Sequence, residues 1–409
     1  MKKVLFTMAL LVAASGAFAQ QSVIKEAKKL MKGSFGAAET TLAPALTNPE
    51  TKDLAETWDV AGNIQKNWYD NEYKKKVLGQ PADEAQMYTS AKKAIEYFFK
   101  CDELAQMPDA KGKINNKFRG ANSKAVLELR NSLIEGGIQF FNNYNQSDSA
   151  EDGKKAIDFL GAYAESAFNP MLESANLQQT DQNLGLAAFY ASAAAQRMED
   201  WASVAKYAKF AANDAEYGQS AAELAAEALK RQGNMDAYLQ ALKEGVQKFP
   251  QDRYFFANAV SYYTNQDKYD DAIAYVNDAL ASDPQNSYKM YVKGVVLDQA
   301  KRYDEAIATF QQAVQADPEN AEAWSMLGDT YRLQAQDFSE NATMDMDSPQ
   351  YAKDQQTLRE FYSKAREPYE KARQLKPDDR QLWLNGLYTV YYNLHLQNEF
   401  NEIEALMNN

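Results

Sequence analysis

The sequence of 409 residues predicts an all-α solenoid, a fold in which helical hairpins stack one upon the next. Three observations predict it: prolines recur at a fixed interval, apolar residues ahead of each proline recur with the helical period, and no segment alternates as a strand does. The prolines are Pro250, Pro284 and Pro318, which lie 34 residues apart (284 − 250 and 318 − 284). Because a stack of hairpins grows without enlarging one core, the length does not set a number of domains.

Two segments that end on these prolines repeat one pattern. Residues 267–284 read DKYDDAIAYVNDALASDP, and residues 301–318 read KRYDEAIATFQQAVQADP. Each ends in Asp-Pro, where the helix stops because proline cannot continue its hydrogen-bond ladder. Residues 321–331, AEAWSMLGDTY, carry the pattern W-x2-L-G-x2-Y in Trp324, Leu327, Gly328 and Tyr331. In both its first and its second helices the chain therefore resembles the tetratricopeptide repeat family.

This register predicts five consecutive hairpins that start near Gly185, Gln219, Arg253, Ser287 and Ala321. The second of them is identified mainly by its spacing, because Tyr238 stands where the family has alanine. The fifth is interrupted: Pro377 follows Pro318 by 59 residues (377 − 318), an insertion of 25 (59 − 34), which we place at about 338–356. Pro368, in the second helix of that hairpin, either kinks the helix or marks its start.

The rest of the chain shows the same pattern less regularly, and we expect about nine hairpins in all. An insertion is predicted around 69–86, and a polar loop is predicted at 142–152. The predicted segments are a signal peptide at 1–19, an irregular array at 20–170, a junction at 171–184, a regular array at 185–379 and capping helices at 380–409.

The first residues have the pattern of a secretory signal peptide. A basic start at Lys2 and Lys3 is followed by an apolar run over 4–14, and Ala17-Phe18-Ala19 supplies a small-x-small cleavage site before Gln20. The residue directly after this site is not a cysteine, so lipid attachment is not expected. No other run approaches the roughly 20 apolar residues of a membrane span. We therefore expect an exported protein, most simply a periplasmic one.

The charge of the chain argues against one class of partner. Its formal net charge is −13, which becomes −15 without Lys2 and Lys3, since 44 basic residues become 42 against 57 acidic ones. Phosphate binding depends on clustered lysine and arginine, so no nucleic-acid partner is expected. Two interpretations of the acidity stay open, a solvated helical surface and a surface that meets a basic segment of a partner.

The residue types that support catalysis are scarce. His395 is the only histidine and is predicted on the C-terminal helix, while the single cysteine, Cys101, is predicted as a small buried residue. Metal sites and nucleophilic triads need several such residues to converge. No glycine-rich phosphate-binding loop is present. The sequence therefore predicts no enzyme, no cofactor and no metal.

The resemblance implies a binding surface, because first helices of tetratricopeptide repeats line a concave groove. Carried over by repeat position, the candidate residues on this face are Tyr254, Tyr288, Tyr291, Asp298, Asp329, Arg332, Tyr388 and Tyr391. Three interpretations of the tyrosines remain: packing between repeats, contact with a peptide, or stacking against sugars. The lysine and asparagine with which some family members hold an acidic carboxylate are missing, so an acidic chaperone tail is not supported.

The function that these patterns favour is a periplasmic, non-catalytic scaffold or adaptor whose concave face binds segments of a protein or peptide partner. The alternative, from a different class, is a carbohydrate-binding helical-repeat protein of the cell envelope. The missing lipid-anchor cysteine counts against this alternative. Fold resemblance alone goes no further than interaction.

Overall fold

The structure, a computed structural model, describes residues 21–108 and 111–408. All regular elements in these ranges are helices, which confirms the all-α prediction. The predicted signal peptide lies outside the described residues. The chain forms two compact units, unit 1 ending at Phe249 and unit 2 beginning at Pro250. The predicted division into an irregular array, a junction and a regular array stays a prediction.

Unit 1 holds eleven of the described helices, nearly all paired as hairpins. They are α1 (21–30), α2 (Phe35–Thr47), α3 (Ala55–Val77), α4 (Glu84–Ala105), α5 (Arg119–Ser147), α6 (Ala150–Ser166), α7 (Leu177–Thr180), α8 (Leu184–Arg197), α9 (Trp201–Ala211), α10 (Gly218–Arg231) and α11 (Met235–Lys248). A 3-10 helix at Pro170–Ala175 precedes the short α7, and α6 packs directly against α8 across both.

Unit 2 continues the same construction with eight described helices. They are α12 (Arg253–Thr264), α13 (Tyr269–Ser282), α14 (Ser287–Gln299), α15 (Tyr303–Ala316), α16 (Ala321–Asn341), α17 (Pro349–Leu375), α18 (Leu384–Asn393) and α19 (Gln397–Met407). Each second helix packs against the first helix of the next pair, and α14 also contacts α16, as α16 contacts α18. The three first helices α14, α16 and α18 therefore adjoin along one side of unit 2.

The turn inside each regular hairpin recurs with the 34-residue period. The residue that reverses the chain is in the left-handed region at Glu199, Gly233, Asp267 and Lys301, with φ values of 56°, 74°, 57° and 58°. These positions are 34 apart, and every predicted hairpin start lies within one residue of a helix start. Glycine adopts this conformation without steric cost, whereas the other three residues hold it against a penalty.

The start of each first helix repeats with the same period. The side chains of Asp252, Asn286 and Asn320 accept hydrogen bonds from backbone N–H groups of the first turns of α12, α14 and α16. Such caps satisfy N–H groups that have no partner within the helix, and each contributes about 1 kcal/mol. One polar residue every 34 positions therefore fixes where the first helices begin.

The predicted polar loop at 142–152 is wrong, because most of this segment is helical, and the two predicted insertions lengthen helices. Residues 69–86 complete α3, which is 23 residues long, and begin α4. The segment 142–152 leaves only two residues between α5 and α6. In the interrupted hairpin, α16 runs on to Asn341 and α17 begins at Pro349. Pro368 lies inside α17, so it does not mark the start of that helix.

A buried ion pair ties the segment after α6 to the core of unit 1. The Arg130 guanidinium lies 2.5 Å from an Asp181 carboxylate oxygen, and both side chains are 6% exposed. Tyr163 donates to the same carboxylate at 2.8 Å, and Arg130 donates to the Ser166 hydroxyl at 2.7 Å. The Tyr163 ring also lies 4.2 Å from the Arg130 Cζ atom. The pair is thus enclosed by partners, the condition under which buried charge is tolerated.

Glycine permits the close helix packing of unit 2. A Cβ atom on Gly294 of α14 would lie 2.5 Å from the Phe310 ring of α15, and one on Gly328 of α16 would lie 2.9 Å from the Tyr369 ring of α17. Rings on second helices therefore lie directly on the backbone of first helices. None of the described helices is long and apolar enough to cross a membrane.

Candidate functional site

The candidate site is the side of unit 2 formed by the first helices α12, α14 and α16. Tyr288, Tyr291 and Asp298 lie on one face of α14, because their spacings of 3 and 7 residues match the helical period. All three are partly buried. We call this side the first-helix face; its described candidate residues are Arg253, Tyr254, Tyr288, Tyr291, Asp298, Asp329 and Arg332.

One end of the first-helix face is aromatic. The Arg253 guanidinium carbon lies 4.4 Å from the centre of the Tyr288 ring, and the Tyr288 and Tyr291 rings stack at 6.4 Å. Tyr291 packs in turn against Phe310 at 6.2 Å. Burial raises the pKa of both tyrosines, so their hydroxyls stay protonated at neutral pH. This end therefore consists of partly buried rings with neutral hydroxyl groups.

Tyr254 extends this aromatic end onto α12. It is partly buried, and its ring meets that of Phe255 edge to face at 5.3 Å. Phe255 is fully buried, so the Tyr254 ring contacts the core of the unit on this side. Aromatic pairs of this geometry contribute about 0.5–1.5 kcal/mol beyond their buried area.

The other end of the first-helix face is polar. Arg332 donates to a carboxylate oxygen of Asp329 at 3.0 Å, and the buried Tyr369 hydroxyl donates to the same oxygen at 2.7 Å. Arg332 also donates to the Tyr369 hydroxyl at 3.4 Å. Burial by this arrangement raises the pKa of Tyr369, and the Asp329 charge raises it further. Asp329 and Arg332 therefore pair directly, and the Tyr369 hydroxyl of α17 contacts both.

Asp298 lies beside this pair without sharing its hydrogen bonds. Its Oδ1 atom is buried and has no hydrogen-bond donor, and the neighbouring Thr330 hydroxyl is committed to the Met326 carbonyl at 2.8 Å. Burial raises the pKa of the Asp298 carboxyl, which the nearness of Thr330 opposes and the charge of Asp329 reinforces. A buried carboxylate oxygen without a donor costs about 1–3 kcal/mol. Such a group in a native structure calls for an explanation.

The predicted candidates at the C-terminal end are not all on this surface. Tyr391 is only 3% exposed and donates to Glu370 at 3.0 Å, so it belongs to the core between α17 and α18. Burial raises its pKa, and the hydrogen bond to Glu370 raises it further. Tyr388 is partly buried against the Phe400 ring at 4.8 Å. Tyr392, by contrast, is 64% exposed.

The six expected residues on α12, α14 and α16 lie on first helices and stay candidates for a binding face, whereas the expectation is wrong for the buried Tyr391. The register of the last hairpin differs, because a 3-10 turn at Arg380–Leu382 and the buried Trp383 precede α18. Arg253 and Tyr369 belong to the site but were not among the expected residues. Arg253 is the first residue of its repeat, and the Tyr369 hydroxyl reaches the face from a second helix, so repeat position gave no signal for either.

Two residues weighed for chemistry have structural surroundings. Cys101 is fully buried, as expected, accepts a hydrogen bond from the Asn122 amide at 3.5 Å, and burial raises its pKa to about 12. His395 is not on a helix: it is exposed in the turn after α18, with a φ of 56°. Among the described residues, no three His, Cys, Asp or Glu side chains are grouped so as to hold a metal ion.

Comparison of the sequence with known families gives one match. Residues 256–321 and 303–343 match the tetratricopeptide repeat family. These ranges contain most of α12 and all of α13, α14, α15 and α16, which include the helices of the first-helix face. Repeats of this kind are modules for protein interaction. No curated protein matches the sequence.

Solved structures with some likeness to the chain also consist of such repeats. A tetratricopeptide protein from Bacteroides fragilis is 16% identical over 66% of this chain and 98% of its own, with a TM-score of 0.31. MamA from Desulfovibrio magneticus is 16% identical over 46% and 95%, with a TM-score of 0.30. YrrB, described as having an unusual peptide-binding site, is 13% identical over 51% and 94%, also at 0.30. With scores this low, the fold assignment rests on the helices and the family match.

Proposed function

We propose that this tetratricopeptide-repeat protein is an exported, periplasmic scaffold that binds a segment of another protein on the first-helix face of unit 2. The observation that carries the proposal is the juxtaposition on α14 of two partly buried tyrosines with a buried, unsatisfied carboxylate oxygen. Tyrosine provides a large contact area at a small cost in conformational entropy. The scaffold holds its partner and carries out no reaction.

The accessibility of the tyrosine rings favours a polypeptide over a sugar as the ligand. Stacking against a sugar needs an open, flat ring face. The Tyr288 ring is covered by Arg253, and the Tyr291 ring packs against Phe310. Tyrosine rings and hydroxyl groups in such surroundings suit the side chains and backbone of an extended segment. The contacts on both rings therefore count against the carbohydrate-binding alternative at this site.

Export is proposed from the signal-like pattern at the N-terminus. A basic start, an apolar run and a small-x-small site precede Gln20. Mass spectrometry of the intact protein from the periplasmic fraction should give a mature chain that begins at Gln20. A full-length chain in the cytoplasmic fraction would contradict the proposed compartment and leave the binding face unaffected.

Photocrosslinking in cells tests the binding function. Photoreactive amino acids at Tyr288 and Tyr291 should crosslink one recurrent protein, identified by mass spectrometry. Matched controls at Lys268 and Asp278, both exposed near or on the second helix α13, should give no such product. Equal yields from both sets, or none from either, would contradict the proposal. Recovery of glycan instead of protein at the tyrosine positions would favour the alternative.

A further inference from the structure

The acidic charge of the chain is concentrated in unit 2. From Pro250 to the C-terminus there are 15 basic and 26 acidic residues, a net charge of −11. The residues before Pro250 include 29 basic and 31 acidic ones, a net charge of −2. The unit that carries the first-helix face therefore has most of the net negative charge, which attracts a positively charged partner and raises its association rate.

Within unit 2, one acidic side chain on the face has a buried oxygen atom without a hydrogen-bond donor. Of the described residues, only Gln65 and Asp298 have a buried side-chain oxygen or nitrogen atom without a hydrogen-bond partner. The charged groups that act on the Asp298 carboxyl are Asp329 and Arg332 of α16, and these two pair with each other. The charges of Asp329 and Arg332 largely cancel each other, so the negative charge of Asp298 is not neutralised by this pair.

The same unit already pairs its own cations with aromatic rings. Besides Arg253 over Tyr288, Arg373 lies 5.0 Å from the Trp383 ring, and Arg366 lies 5.8 Å from the Tyr391 ring. The negative face of an aromatic ring attracts a cation by about 0.5–2 kcal/mol, more as water is excluded. An aromatic surface of this kind tolerates a basic side chain well.

From these observations we infer that the segment bound on the first-helix face is basic, with a lysine or arginine whose charged group reaches the Asp298 carboxylate. The inference rests on the proposed function and specifies its partner chemistry. Neighbouring residues of the segment contact Tyr288 and Tyr291. The ligand cation pairs with the charge of the partly buried Asp298 carboxylate, and a charge-assisted hydrogen bond is roughly twice as strong as a neutral one.

The geometry of α14 allows one short segment to make both contacts. Tyr291 and Asp298 are seven residues apart, about 10 Å along a helix that rises 1.5 Å per residue. An extended chain spans that distance with about three residues, at roughly 3.3 Å each. A basic residue three or four positions from an apolar one therefore matches the face.

The inference is tested with four pools of fluorescent dodecapeptides and the full mature chain. The pools have the same mixture of uncharged residues and differ only in a central Lys, Arg, Gln or Glu. Fluorescence anisotropy should show the Lys and Arg pools binding about tenfold more tightly than the Gln pool, with Glu weakest. This order is measured on the unsubstituted chain, so it does not depend on the folding of a variant.

The variant Asp298→Asn then assigns the preference to one residue. It should lower the affinity for the Lys pool about tenfold, to that of the Gln pool, and leave the Gln pool unchanged. The control Asp278→Asn removes the same charge from the exposed surface of α13 and should change neither affinity. The same preference in wild type and Asp298→Asn, or equal affinities of wild type for all pools, would overturn the inference and leave the proposed function standing. Absence of binding to any pool would overturn both.

Discussion

In unit 1 the buried Asp181 carboxylate is enclosed by an arginine and a tyrosine, whereas in unit 2 the buried Asp298 oxygen has no donor. Both units use the same hairpin with the same left-handed turn. They differ in what the side chains between the hairpins do. Unit 1 satisfies its buried charge internally, and unit 2 leaves charge and aromatic surface available. The repeat therefore determines the backbone conformation of both units. The function of each unit depends instead on which of its polar side chains have no hydrogen-bond partner.

The largest expected effect concerns the closed ion pair of unit 1. Arg130→Met should destabilise the hairpin of α5 and α6 by about 3–5 kcal/mol, because it strands Asp181 as a buried, unpaired charge. Native-state hydrogen exchange at the amides of α5 measures the change. Lys29→Ala, which removes an exposed ion pair with Glu26, is the control and should leave exchange unchanged. A small effect of Arg130→Met would mean that unit 1 does not depend on internal charge pairing.

The second prediction concerns the close packing of first and second helices in unit 2. Gly294→Ala should destabilise unit 2 by about 1–3 kcal/mol, since the added carbon would lie 2.5 Å from the Phe310 ring. Gly120→Ala in α5 has no atom within 4 Å and should stabilise unit 1 by up to about 1 kcal/mol through helix propensity. Urea denaturation of the two variants should give opposite signs, and equal signs would refute the packing argument.

A third prediction concerns the turn that both units share. Lys301→Gly should stabilise the chain by roughly 1 kcal/mol, because glycine holds a φ of 58° without a steric penalty. Gly233→Ala, at the equivalent turn of unit 1, should destabilise it by a similar amount for the converse reason. Thermal denaturation followed by circular dichroism measures both shifts. If Gly233→Ala were neutral, the turn would not fix the repeat.

A fourth prediction contrasts the two buried carboxylates directly. Asp298→Asn should stabilise unit 2 by on the order of 1 kcal/mol at neutral pH, because it removes an uncompensated buried charge. Asp181→Asn should destabilise unit 1, because Arg130 then loses its partner. Urea denaturation measures both changes, and the same sign for the two variants would contradict the comparison.

The stabilising effect of Asp298→Asn should also depend on pH. Burial raises the pKa of Asp298 in the folded chain above its value in the unfolded chain. At a pH between these two values, the carboxyl is protonated in the folded state and ionised in the unfolded state. As the pH falls through the folded pKa, protonation of Asp298 therefore increases the free energy of unfolding. The advantage of the Asn variant should be greatest above that pKa and shrink below it. Asp329, Arg332 and Thr330 face this carboxyl and are unchanged in the variant. An advantage that grows on acidification would contradict the assignment.

The sequence predicted the repeats because a few residues determine them. Prolines end the second helices, and one hairpin start every 34 residues follows from that punctuation, even where Tyr238 departs from the family pattern. The lengthened helices were not predicted. At 142–152 and in α16 and α17 the extra turns are largely exposed, and a helix with little to pack against lacks the apolar stripe that reveals it.

The site was predicted only as far as repeat position determines it. Tyr288, Tyr291 and Asp298 were found because α14 follows the family register. Tyr391 was misassigned because Trp383 and a 3-10 turn shift the last hairpin. That Asp298 lacks a donor while Asp329 has two depends on hydrogen bonds between helices, which a single sequence does not encode.

The most direct test of the central claim, that recognition resides in unit 2, is fluorine NMR of the mature chain labelled with 3-fluorotyrosine. Tyrosines of both units report at once, and single Tyr→Phe variants assign their signals. On addition of the lysine-centred peptide pool, signals from Tyr288 and Tyr291 should shift while those from Tyr97 and Tyr190 of unit 1 stay in place. Shifts confined to unit 1, or equal shifts in both units, would contradict the account.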